Sequence, residues 1–310
     1  MISAIFRSRH HLIELARAAK RLVPVWLAVL MAIVFVFGGQ FFGAIPYALM
    51  LGFDLLPSGA TPVGGALNLL FFFALTLVPT GLLLLLWVAV VEQRPVRTLG
   101  LEGPAWLKKL LRGFVGGAVL FSLIVLISAV FGWIDVQPQS NPIPLLLFAS
   151  LLTLPGWLLQ SSLEELVMRG WLLPVIGAKR SVALGLLISS LLFAVLHLLN
   201  PGVSLLSTLN IALAGLMFAL LVLWEGSIWG AFGLHSAWNW IQGSVYGFPV
   251  SGNIFQSPSV WKMIENGPDW LTGGPFGPEG GLIATLVLVG ACLVLGWLIY
   301  RKERRSAMVE

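Results

Sequence analysis

Residues 155–176 read PGWLLQSSLEELVMRGWLLPVI. The run is apolar enough to be part of a membrane span, yet it holds Glu164, Glu165 and Arg169. A charged group at bilayer depth costs at least about 2.5–3.5 kcal/mol on insertion scales. Packing alone gives no reason to carry three of them, so the stretch reads as a membrane helix that bears a site. The next apolar run holds His197, and the next but one holds His235 and Asn239. The remaining two of the four histidines, His10 and His11, belong to a basic N-terminal arm.

Composition extends this reading to the whole chain. Apolar residues make up 58% and charged residues 10%, with a mean hydropathy of +0.95. A soluble domain carries about 25% charged residues. The expectation is a single all-α, polytopic integral-membrane domain over 1–310, with about eight transmembrane helices. Their approximate bounds are 22–42, 67–91, 111–133, 143–163, 181–199, 206–224, 227–247 and 281–300. The stretch Phe248 to Gly280 is rich in Gly, Pro and Ser and reads as an ordered loop or a short interfacial helix. A lone cysteine, Cys292, excludes a disulfide framework and a cysteine metal site.

The net charge of +5 does not point to nucleic acid, because of where the cations fall. Sixteen of the eighteen Lys and Arg residues lie in the N-terminal arm, between the second and third spans, before the fifth, or after the eighth. Eight alternating spans put all of these on one side, which predicts cytoplasmic termini. Arg169 lies in a helix, and Lys262 alone lies on the far side. The first span follows a charged arm but exceeds signal-peptide length, so an uncleaved anchor in the plasma membrane is expected.

Three short patterns carry the chemistry. In Glu164-Glu165-Leu166-Val167-Met168-Arg169, Glu165 and Arg169 stand at i and i+4, where an acid-first pair is favourable. Glu164 lies about 100° round the helix and is left to another partner. Phe193 and His197 share one helix face, as do His235 and Asn239. Gly230 and Gly233 precede the latter pair and permit close helix approach. Taken singly, each pattern has a plainer reading. The acidic pair with Arg169 suits a capped interfacial helix end, His197 a structural hydrogen bond, and His235 with Asn239 interhelical glue.

Taken in order, EExxxR, FxxxH and HxxxN resemble the CPBP family, the CAAX proteases and bacteriocin-processing enzymes, also called type II CAAX prenyl endopeptidases. Ala214-Gly215-Leu216 and Trp224-Glu225-Gly226-Ser227-Ile228-Trp229, leading into Gly233-Leu234-His235, add to the resemblance. It runs over roughly 155–242, within a catalytic core expected at about 143–247, and Arg94 to Leu101 looks like the family's basic loop. The resemblance implies an intramembrane endopeptidase acting on membrane-embedded or prenylated peptides. Glu164 would then activate water, His197 would help hold it, and His235 and Asn239 would form the oxyanion hole. Glu165, Arg169 and Phe193 would support them, with no cofactor. At 1.5 Å per residue, Glu164, His197 and His235 lie roughly 21, 24 and 12 Å in from the ends of their helices, so all fall within a bilayer.

Other classes use the same residue types. A zinc protease requires a set such as HExxH, which the sequence lacks, although Glu164, His197 and His235 form a candidate three-ligand set. A proton-coupled transporter also carries intramembrane Glu, His and Arg, but the chain shows no repeated halves. A non-enzymatic immunity or scaffold protein would keep the fold. A rhomboid-like serine protease needs a GxSxG-like setting that Ser162 and Ser236 lack.

Overall fold

A computed structural model describes residues 10–255 and 257–306; Arg7 and Arg9 of the basic arm lie outside them. A short helix α1 (His11–Arg17) precedes α2 (Val25–Gly52), α3 (Pro62–Val91) and α4 (Trp106–Val130). Strand β1 (Ile134–Gln137) leads to α5 (Ile143–Lys179), α6 (Val182–Val195) and α7 (Leu205–Glu225). Helix α8 (Trp229–Trp240) continues as a π-helical segment, Ile241–Tyr246, before strand β2 (Lys262–Glu265) and α9 (Leu282–Ser306).

Among the described residues, six helices are long and apolar enough to cross a membrane: α2, α3, α4, α5, α7 and α9. The two other expected runs are helical as well. Helix α6 is short, with 14 residues, whereas α8 with its π segment runs unbroken from Trp229 to Tyr246 but is less apolar than the six. Helix α6 ends at Val195 and gives way to turns over 196–200, and Gly202, after Pro201, turns the chain with φ at +69°. Helix α5 is longer than expected, running 37 residues through the acidic motif. The expectation of an all-α chain also needs amending, because β1 and β2 pair antiparallel with Ile134 opposite Glu265. Four-residue strands are too short to display a period of two.

Glycine sets the tightest helix contacts. Gly113 and Gly117 of α4 face the carbonyls of Gly230 and Leu234, and Gly233 of α8 faces that of Leu110. A Cβ at any of these would overlap the opposing backbone. Gly39 and Gly43 of α2 lie as closely on Thr80 and on Leu75–Thr76 of α3. In lipid, where apolar side chains gain little by mutual burial, such close backbone packing drives helix association. The outer surface stays apolar, with Trp26, Phe41, Leu86 and Val130 exposed.

Cation-rich segments meet at one end of the bundle. Lys109 Nζ donates to Ser227 Oγ at 2.9 Å, Arg112 pairs with Glu225 at 2.5 Å, and Lys302 Nζ reaches the Trp224 carbonyl at 2.8 Å. Arg94 departs from the simple charge count, because it is buried against Glu92 and is not a free basic residue of the loop. The other end carries β1, β2 and the 248–281 segment, where Gln139 bonds the Ser259 carbonyl and Asn200 that of Ser251.

Candidate active site

Helix α5 supplies the acidic motif at mid-length and not at an interfacial end. Its hydrogen bonding widens to a π-helix from Leu166 to Leu172, a deformation that recurs at functional positions. Arg169 Nη1 donates to Glu165 Oε1 at 2.9 Å, and both side chains are fully buried. The guanidinium lies 4.4 Å from the Phe193 ring centre and 5.5 Å from that of Phe218. Gly215 of α7 leaves it room: a Cβ there would stand 2.7 Å from Arg169 Nη2.

His235 joins the same carboxylate. Its Nδ1 lies 3.0 Å from Glu165 Oε1, and its ring stacks on Phe218 at 4.7 Å. An ionised carboxylate only accepts, so the network assigns a proton to Nδ1. The opposite nitrogen, Nε2, then faces Glu164 Oε2 across 3.9 Å, too far for a direct hydrogen bond. Nε2 donates only when the ring carries both protons. Glu164 Oε1 accepts from Gln160 Nε2 at 2.5 Å, while Oε2 has no hydrogen-bond partner.

Gln160 is a residue the motif reading passed over. Its Oε1 accepts from Asn239 Nδ2 at 2.9 Å, so one carboxamide couples the free carboxylate to Asn239. The signal was present: a glutamine one turn before Glu164, on the same helix face, in an apolar run. Glu279 was also passed over. It accepts from Trp238 Nε1 at 3.0 Å and from Ser251 Oγ at 2.9 Å, which ties the 248–281 segment to α8 between His235 and Asn239.

His197 stands apart from this network. Its Nδ1 lies 2.7 Å from the Phe193 carbonyl, which can only accept, so Nδ1 carries the proton and Nε2 is left available. It is not hydrogen-bonded to Glu164 or His235. It does line the same cavity of about 450 Å³ as Glu164, His235, Asn239 and Phe193. A neighbouring cavity of about 500 Å³ under the 248–280 segment shares Trp157 and Phe255 with it but holds none of the motif residues. Among the described residues, no three His, Cys, Asp or Glu side chains converge as a metal-ligand set.

The arrangement offers a carboxylate with one free oxygen, a histidine nitrogen and a carboxamide facing one cavity inside an apolar bundle.

Residues 143–241 match the family model described as Type II CAAX prenyl endopeptidase Rce1-like. The matched stretch runs from the start of α5 to the residue after α8 and contains all three motifs. The chain therefore carries an Rce1-like domain, consistent with the CPBP family, in an integral membrane protein. No curated protein matches the chain.

Proposed function

We propose that this protein is an intramembrane endopeptidase of the CAAX-protease type in which Glu164 activates water. The observation that carries the reading is the free Glu164 Oε2, which faces His235 Nε2 across 3.9 Å in the cavity shared with His197 and Asn239. Water held between Glu164 and His197 attacks the carbonyl carbon of the scissile peptide bond and gives its proton to Glu164. The oxyanion is stabilised by Asn239 Nδ2 and by His235 Nε2 with its ring doubly protonated. Donors preplaced in a dry site contribute about 2.7–4 kcal/mol each in such roles. Glu164 then passes the proton to the leaving amine as the C–N bond breaks. Glu165, held by Arg169, orients His235, and Gln160 orients Glu164 and Asn239. Phe193 packs between the guanidinium and both histidines.

The substrate class is a membrane-embedded or prenylated peptide, because the site lies within the apolar bundle. The reaction as proposed needs no metal. The cation-rich end marks the cytoplasmic side under the positive-inside rule, which puts the termini there and the 248–281 segment outside, in the plasma membrane. The test is cleavage of a transmembrane or prenylated peptide by purified protein in detergent. Cleavage should survive a strong chelator and fall by about 10²–10⁴ in Glu164→Gln. Loss of wild-type activity on metal stripping, restored by zinc, would favour Glu164, His197 and His235 as metal ligands instead.

A further inference from the structure

Helix α2 lies outside the matched stretch, yet it contributes a polar group to the cavity. From Val25 to Gly52, only Gln40 and Tyr47 bear a carboxamide or a hydroxyl. Tyr47 is accounted for, since its hydroxyl donates to Asn68 Oδ1 at 2.9 Å. Gln40 lines the cavity with Glu164, His197, His235 and Asn239, and no residue among those described hydrogen-bonds its carboxamide. A polar side chain in a membrane bundle is normally satisfied by a neighbouring helix.

Backbone packing fixes where Gln40 points. Gly39 and Gly43 flank it on the face laid against α3. A π-helical turn, Val34–Gly38, ends just before it and shifts the register of all that follows. The side chain is therefore placed by the helix and not by a bond of its own, which leaves the whole carboxamide for a ligand.

A carboxamide has one carbonyl acceptor and two N–H donors, the complement of a peptide unit. A charged or apolar ligand group would leave part of it unpaired. A helical substrate satisfies its own backbone, so only an unwound, extended segment offers free N–H and C=O groups inside a membrane. We propose that Gln40 is a substrate-binding residue whose carboxamide pairs with one backbone peptide unit of an extended substrate flanking the scissile bond. This rests on the protease reading above and names how that site holds its substrate.

The test combines enzyme and substrate changes. Gln40→Leu should raise KM about 3- to 10-fold with kcat changed less than about twofold, the loss expected of one neutral hydrogen bond. Thermal unfolding in detergent should match wild type, because the carboxamide has no internal partner to lose. A series of peptides, each with one peptide bond replaced by an ester, locates the contact. One ester position should weaken wild type and leave Gln40→Leu no weaker than it already is. An unchanged KM, equal ester penalties in both enzymes at every position, or a drop in thermal stability that tracks the activity loss overturns the proposal. Failure of the protease reading looks different: wild type then cleaves no peptide that Glu164→Gln leaves intact, and both ideas fall together.

Discussion

Two regions of this molecule bury a glutamate beside an arginine, one closed and one open. At the end of α3, Glu92 accepts from Arg94 Nε and from Trp171 Nε1, each at 2.7 Å, and neither Glu92 nor Arg94 is exposed. Each oxygen of that carboxylate has its donor. In α5, Glu165 and Arg169 are as deeply buried, and Glu164 and Glu165 each keep one oxygen without a partner, but Glu164 differs in having 24% of its side chain exposed and in lining the cavity. Burial of charge is common to both regions. An unpaired carboxylate oxygen on a side chain that lines a cavity distinguishes the region to which we assign the reaction. The closed pair ties the loop after α3 to the π segment that carries Arg169, two residues before Trp171.

This comparison predicts opposite phenotypes from the same substitution. Glu164→Gln removes the proton acceptor at almost constant shape, and the rate should fall by about 10²–10⁴, the range for a general base, with the unfolding midpoint unchanged. Glu92→Gln leaves Arg94 buried without its counter-charge, and stability should fall by about 3–5 kcal/mol while activity per folded molecule stays near wild type. Detergent unfolding and turnover normalised to folded protein read both. Per-molecule activity lost in Glu92→Gln at full stability would break the distinction.

The next effect sharpens the open region. His235→Ala and Asn239→Ala should each cost about 10²–10³ in turnover, with little change in KM. Both donors act on one oxyanion, so the double variant should lose less than the product of the single losses. Fully active single variants would return His235 and Asn239 to the helix-packing role.

The sequence made the membrane class, the motif order and the Glu165–Arg169 pair legible, because hydropathy and i, i+4 spacing are local. Two features were not. Arg94 to Leu101 reads as a basic loop, but Arg94 turns inward to Glu92, and the partner that closes the pair, Trp171, is 79 positions away from Glu92. Gln160 reads as one polar residue in an apolar run, and its role emerges only when α8 brings Asn239 against it. The length of α6 was also overread, because apolar composition continues past Val195, where the helix gives way to turns.

A partly buried carboxylate outside the bundle gives an effect on stability alone, read as a pH slope. Glu265 lies in β2, outside the spans, where burial pushes its carboxyl up to about 8 and nearby Asp269 adds to the shift. The Gly274 amide and Thr272 hydroxyl offset part of it. A carboxyl raised in the folded state holds its proton there while the unfolded chain has already released it. The folded state thus binds more protons between the ordinary value near 4.5 and about 8, and stability falls as pH rises through that window. Above it both states are ionised and the dependence levels off. Glu265→Gln should flatten this slope and raise stability most at the alkaline end, without changing kcat. Glu164→Gln should leave the slope in place. Unfolding midpoints of both variants and wild type across the window decide the matter, and an unaltered slope in Glu265→Gln would remove Glu265 as its source.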